Sequence, residues 1–345
     1  MEQVTIKDIA RICGVGVSTV SRAINNHPDI NPETKSMINR VIREQGYVPN
    51  NSARNLKRIE AKTIAVLVKG MNNPFFTSMV KSIEKEIKKK KYAMVLHHVE
   101  HDEDEIDVAL ELVKEKRLKG IIFLGGYFKH SSEKLGYLNV PFILSTAGGS
   151  AETTSKAMYS TISVDDRKES YRIVDYLIRS GHKKIAMISA SMEDESIGKL
   201  RLEGYKNALE EHGISFRQEL IRPMDQDLEL YSMENGYQAT KQLLASGEEF
   251  TALYAISDMM AVGALRAIHE AGKKVPEDYS VVGYDGIDIG KYSIPTITTV
   301  NQPIEEMAKE TIGLLFDIIA GKKQHQHRVF SGEVVIREST KSIEK

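Results

Sequence analysis

Apolar positions in the first 58 or so residues recur at helical spacing, and no stretch alternates as a strand does. Ile6, Ile9 and Ala10 form a stripe behind Thr5 and Asp8, whose three-residue separation predicts a capping box. Gly14-Val15-Gly16 breaks that helix, and a second is expected from about Val17 to Ile24, with Val20 and Ile24 facing inward. Its start lacks a capping side chain, because Gly16 occupies the place before it. Asn31-Pro32-Glu33 is a strong third start: an N-cap, proline at the first helical position, then an acid at the positive end of the dipole. Met37, Ile38, Val41 and Ile42 give this helix its apolar face, and Gly46 stops it.

From residue 61 the texture changes. Apolar runs of strand length occupy 63–68, 93–99, 120–124, 142–145 and 161–164, then 185–190, 253–256 and 280–283. Amphipathic stretches of helical length lie between them at 76–90, 105–115, 168–180, 199–212, 235–245 and 259–271. Strands apolar on both faces, alternating with helices, predict parallel sheets covered by crossover helices. Two series of strands predict two sheets with a cleft between them. The expected fold is therefore an all-α head followed by an α/β core of two parallel-sheet subdomains.

Composition agrees with a multidomain globular chain: 345 residues, 41% hydrophobic and 28% charged. The net charge of −1 hides an asymmetry, since residues 1–60 carry nine basic and six acidic side chains and the remainder 38 and 42. A basic head on a slightly acidic body suits a nucleic-acid-binding module joined to something else. No apolar run approaches the roughly 18 residues of a membrane span, and MEQVTIKDIA lacks the apolar core of a secretory signal. Cys13 is the only cysteine, which excludes an internal disulfide. These features predict a cytoplasmic location.

The spacing of Ile9-Ala10, Gly14-Val15 and Val20 is what two helices crossing at a tight turn require. The second helix would then enter the DNA major groove with Val17, Ser18 and Arg22 toward the bases. Arg22 can address a guanine bidentately, and Val17 can meet a thymine methyl. Thr5, Thr19, Ser21 and Asn25 are better placed for phosphates, which set register rather than sequence. A small helical cap without a DNA role is the alternative that spacing alone leaves open.

VSTVSR, the GYVPN turn and the ARNL that follows make the head resemble that of the lactose- and galactose-repressor family, with no gap across the three helices and the hinge. The resemblance implies domains at 1–49 (helix-turn-helix), 50–60 (hinge helix and linker) and 61–340 (effector binding and dimerisation). It also implies a hinge helix that places Ala53 and Leu56 in the minor groove, Leu56 as an unstacking wedge. Gly16 departs from the family's usual serine, which removes an N-cap and a phosphate contact.

NNPFF, GHKKIAMI, RLEGY, SDMMAVGAL, VPEDYSVVGYDG, TTVNQP and IRES continue the similarity into a core like that of the periplasmic binding proteins. The resemblance implies a first subdomain of about 61–163 plus 295–323, a second of about 164–294 plus 324–340, and a ligand held between them. Residue by residue, it places Arg201 and Asp285 where the family grips its effector. Asp165, Ser257 and Gln302 match further polar positions, and Phe75, Phe76, Gly126 and Tyr231 the apolar and aromatic wall. Such a set suits a sugar: paired carboxylates and amides for hydroxyls, a rigid guanidinium fork, an aromatic face. Ordinary structural roles remain open for each: Asp285 can cap a turn, Arg201 can pair with a carboxylate at a subdomain seam, Tyr231 can be core. Asp166 and Glu169 depart from the family's usual asparagine and glycine.

His97, His98 and His101 in HHVEHDEDE are the nearest thing to a metal cluster, but neighbouring strand residues face opposite ways, so no metal is expected. No nucleophile-and-base set and no P-loop appears, so neither catalysis nor a cofactor is expected. The expected protein is a repressor that binds a pseudo-palindromic operator as a homodimer and is switched by a small metabolite, a sugar first. A protein co-regulator, or a nucleobase or nucleoside, is the alternative signal. With six residues after Ser339, the tetramerising heptad helix of some members of the family this chain resembles is not expected.

Overall fold

The computed structural model describes residues 4–24, 27, 29–47, 62–126, 132–147, 159–191 and 195–343. Asn25, Ala53, Leu56 and the expected hinge at 50–60 lie outside these. The chain divides into two compact units, Met1–Ala61 and Lys62–Lys345.

The first unit holds three helices, α1 (Ile6–Ile12), α2 (Val17–Ile24) and α3 (Pro32–Glu44). The Thr5–Asp8 capping box is formed, and the Asn31 side chain accepts from the amides of Glu33 and Thr34. Gly14 supplies the positive φ of 62° that lets α1 turn into α2. Ile9, Ala10, Val20, Ala23, Ile38 and Val41 close the core, with Ile24 packed at its edge. Ala23 is buried in the inward place expected of Ile24, which is only half-buried.

The second unit holds two six-stranded sheets. The first is built from β1 (Thr63–Lys69), β2 (Ala93–Val99), β3 (Gly120–Leu124), β4 (Phe142–Ser145), β5 (Ser160–Val164) and β11 (His327–Phe330), in the order β11-β5-β4-β3-β1-β2. All its pairings are parallel. The second contains β6 (Ile185–Ser189), β7 (Ile221–Pro223), β8 (Ala252–Ala255), β9 (Ser280–Asp285), β10 (Thr298–Asn301) and β12 (Glu333–Val335), in the order β12-β10-β9-β8-β6-β7. Only its β10–β12 pairing is antiparallel. Helices α4 (Pro74–Lys89), α5 (Glu105–Glu115) and α6 (Ser132–Gly136) belong to the first half. Helices α7 (Asp166–Arg179), α8 (Ile197–Glu211), α9 (Met233–Ala245), α10 (Asp258–Glu270) and α11 (Ile289–Tyr292) belong to the second. A last helix, α12 (Ile304–Ile319), returns to pack on α4 and the first sheet.

The chain therefore passes between the halves three times: after β5, between β10 and α12, and between β11 and β12. This corrects the expected subdomain limits. Residues 298–301 pair with β9 in the second sheet, and 327–330 pair with β5 in the first. Strands of three or four residues are too short to show a period, so β7, β10, β11 and β12 were not foreseeable from alternation.

Candidate functional site

In each sheet the strand order reverses beside its first strand, and a cleft opens outside the strand ends at such a point. The loops after β1 and β3 meet those after β6 and β9 around a cavity of about 420 Å³, lined by Gly70, Asn73, Gly126, Ala190 and Asp285 among others. That volume lies within the range of about 300–1,000 Å³ typical of small-molecule sites.

Arg201 forms the floor. It rides on α8, which approaches α7 so closely at Gly204 that a Cβ there would stand 2.1 Å from the Arg167 carbonyl oxygen. The approach brings Arg201 to Asp166, and Nε donates to Oδ1 at 2.8 Å. Nη1 donates to the Ile256 carbonyl at 2.5 Å, and Nη2 lies 3.7 Å from Asp285 Oδ1. The guanidinium carbon sits 3.6 Å from the centre of the Tyr284 ring. The side chain is only 2% exposed. Burial alone would push its pKa down, but Asp166 and the other acidic groups around it hold it well above its ordinary value.

Asp285 is the second anchor. It is a non-glycine residue held at φ 115°, a backbone state that clusters at ligand clamps. Gln302 Nε2 donates to one carboxylate oxygen at 3.0 Å, and Asn73 Nδ2 donates to the other at 3.2 Å. The Asn73 bond spans the cleft, from the start of α4 to the end of β9. Burial pushes Asp285 up to about 6 against the opposing pull of Arg201.

Phe75, Phe76, Gly126, Arg201, Tyr231, Asp285 and Gln302 all line the cavity. The two phenyl rings meet edge to face at 5.3 Å. Asp165 and Ser257 do not line it. Asp165 is exposed and caps α7, accepting from the Lys168 amide at 3.1 Å. Ser257 is fully buried, caps α10 by accepting from the Met260 amide, and donates to the Tyr231 carbonyl. Both are thus helix caps in place of the expected ligand contacts. Sequence reasoning missed Asn73, although Asn-Pro is a legible helix start, and it read Asp166 only as a departure. Among the described residues no three His, Cys, Asp or Glu side chains gather to hold a metal ion.

Beneath the cleft, Asp258 is fully buried and accepts from the Thr299 hydroxyl at 2.6 Å and the Ile287 amide at 2.8 Å. Burial, then the neighbouring Asp285, push its carboxyl up from 3.8 to about 8. A raised folded-state value contributes stability that is present below the unfolded value and lost as pH rises through the folded one. Melting temperature is therefore expected to fall between about pH 4 and about pH 8. Asp258→Asn should flatten that fall, because the Thr299 hydroxyl can turn to accept from the amide. A level wild-type profile over this window would show that Asp258 is ionised throughout.

In the head, Val17 is 42% exposed, Ser18 and Arg22 are exposed, and Thr19 and Ser21 are half-buried. The Arg22 guanidinium lies 3.3 Å from Asp29, whose other oxygen meets His27 Nδ1 at 2.6 Å. Thr5 is engaged within α1's cap, its hydroxyl donating to Asp8 at 2.6 Å.

A helix-turn-helix unit joined to a cleft-bearing body of two α/β halves defines a DNA-binding regulator with a ligand-binding domain. Residues 5–50 match the bacterial regulatory proteins of the lacI family, and residues 174–340 match the periplasmic binding protein-like domain. The HTH-type transcriptional regulator MalR of Clostridium butyricum is 40% identical over 340 residues, covering 98% of this chain and 99% of its own. The HTH-type transcriptional repressor CytR of Escherichia coli K12 is 31% identical over 340 residues, covering 98% and 97%. Among solved structures, the lac repressor dimer bound to operator and the anti-inducer ONPF superposes with a TM-score of 0.78 at 25% identity, covering 98% of this chain and 99% of that one. The regulator CelR in complex with cellobiose gives 0.72 at 28% identity, with 98% and 100% covered. The chain belongs to the lacI family of bacterial regulatory proteins. These relatives are regulators of transcription rather than enzymes, and among the described residues no helix is long and apolar enough to cross a membrane.

Proposed function

We propose that this protein is a cytoplasmic repressor that binds a pseudo-palindromic operator as a homodimer and is switched by a sugar in the cleft. The observation that carries the sugar reading is the pairing of Arg201 with Asp285 in a cavity that Phe75, Phe76 and Tyr231 also line. A guanidinium and an acceptor-rich carboxylate address neighbouring hydroxyls, and the rings cover an apolar sugar face. The similarity to a regulator solved with cellobiose supports the same class. Closure of the cleft around the sugar changes the placement of the two halves and thereby the hinge segment at 50–60. The coupling is reciprocal, so operator must change sugar affinity by the factor that sugar changes operator affinity.

Val17, Ser18 and Arg22 are assigned to base edges, Thr5, Thr19, Ser21 and Asn25 to phosphates, and Ala53 and Leu56 to the minor groove. Arg22 must leave Asp29 to reach a guanine, and both partners are at least half exposed, so the exchange costs little. Selection of random duplexes by the full chain should return two half-sites roughly 10 bp apart, and sugar should change their affinity. Selection with Arg22→Ala should lose preference at one position per half-site, a change of about 1–3 kcal/mol. Recovery of no preferred sequence by the wild-type chain would sink the proposal, and an unaltered preference in the variant would remove Arg22 from base readout.

A further inference from the structure

Among the described residues the cleft offers two cationic side chains apart from histidine, Arg201 and Lys69, and both are already paired with acids of the protein. Arg201 is shared between Asp166 and Asp285. Lys69 Nζ lies 3.4 Å from Glu105 Oε2 and donates to the Glu103 carbonyl at 2.6 Å, with only 10% of its side chain exposed. Glu100, Asp102 and Glu229 add negative charge to the cavity wall, and the imidazole of His98 lies 3.4 Å from Glu100. The two helix starts that open on the cleft are capped from within the chain. Asn73 accepts from the Phe75 amide at the head of α4, and Ser196 accepts from the Gly198 amide at the head of α8.

Among the described residues, a ligand entering this space meets acceptors in excess, and Arg201, Lys69 and His98 each already have a carboxylate beside them. Carboxylates are acceptors only when ionised, so the ligand must donate, as hydroxyl groups do. A phosphoryl group brings about −1.5 to −2 charges and no comparable donors. It would also face the carboxylate of Asp285, which lines the cavity. We infer that the effector is an uncharged, hydroxyl-rich molecule, and that the cleft rejects the phosphorylated form of the same sugar. This rests on the sugar reading of the cleft and narrows it to one charge class.

The test is calorimetric titration and thermal melting of the full chain with matched pairs: glucose and glucose 6-phosphate, trehalose and trehalose 6-phosphate, sucrose and sucrose 6-phosphate. Maltose, cellobiose, adenosine, adenine and inorganic phosphate complete the panel. At least one neutral sugar is expected to bind, with its phosphorylated partner at least about 100-fold weaker. A phosphosugar that binds as tightly as its neutral partner, or more tightly, overturns the charge assignment and leaves the sugar reading standing. Binding of adenosine or adenine with no response to any neutral sugar overturns the sugar reading, and the inference falls with it. Silence from every neutral sugar also counts against both.

Discussion

Arg201→Ala is expected to abolish the response to sugar and to lower the melting temperature of the ligand-binding body, while the head still binds DNA. Two different losses are combined in this variant. The first is the fork that addresses the ligand. The second is the cation that pairs with both Asp166 and Asp285, which are each about 97% buried. Removing one partner of a buried ion pair typically costs about 3–5 kcal/mol, because the remaining charge is uncompensated. The deficit should shrink as pH is lowered toward about 5, where the orphaned carboxyls take up protons. A second variant, Arg201→Met with Asp166→Asn, separates the two losses. It should recover part of the stability, since Asp285 alone is left without its cation and keeps its bonds from Gln302 and Asn73, and still fail to respond to sugar. Differential scanning calorimetry and operator binding with and without sugar provide the readouts. An Arg201→Ala protein that melts like the wild type and still responds would remove Arg201 from both roles.

The second large effect concerns assembly. Tyr292 ends α11 with 84% of its surface exposed, and Ile294, two residues on, is 95% exposed. Leu96, on the edge strand β2 of the other sheet, is 42% exposed. Single exposed apolar residues are ordinary, but an aromatic and a branched aliphatic side chain side by side on one short loop favour a second copy as cover. In the proposed homodimer each head binds one half-site, and linkage makes the overall avidity exceed the affinity of a single head by about 10²–10⁴-fold. Tyr292→Ser with Ile294→Asp is therefore expected to give monomers in analytical ultracentrifugation and to weaken operator binding by about that factor. Sugar binding should survive, since neither residue lines the cleft. A variant that remains dimeric with full operator affinity would place the interface elsewhere.

The head was legible almost to the residue. Thr5 with Asp8, Gly14 and Asn31-Pro32 are local signals, and each acts on its own turn of chain. The two-sheet body was legible as a class, because long apolar runs between amphipathic stretches admit few other arrangements. The three passages between halves were not, because pairing of a four-residue strand is decided by partners far away in sequence. Thr299 lies beside Gly283, and Val329 beside Ser163.

The site shows a narrower difficulty. Asp165, Ser257 and Asn73 all stand at helix starts, where a short polar side chain satisfies the backbone first. For Asp165 and Ser257 that role accounts for the polar side chain. Asn73 caps α4 through Oδ1 and keeps Nδ2 for Asp285. Nothing in the chemistry of a carboxylate, hydroxyl or amide tells these cases apart until the neighbouring element is in place. Asp166 makes the same point in reverse: one residue beyond the cap, it turns inward and meets Arg201.

The three passages between the halves also fix how the body can move. They run side by side: a Cβ on Gly332, in the third, would stand 3.3 Å from the Asn301 carbonyl in the second, and 3.5 Å from the carboxyl carbon of Glu169 just past the first. Two stiff bodies tied by three short adjacent straps keep one easy degree of freedom, a swing about the line across the straps. Sliding or twisting would stretch at least one strap. In the switch proposed above, molecules of different shape in the cleft would thereby be translated into values of a single angle, the one quantity the body would have to pass on.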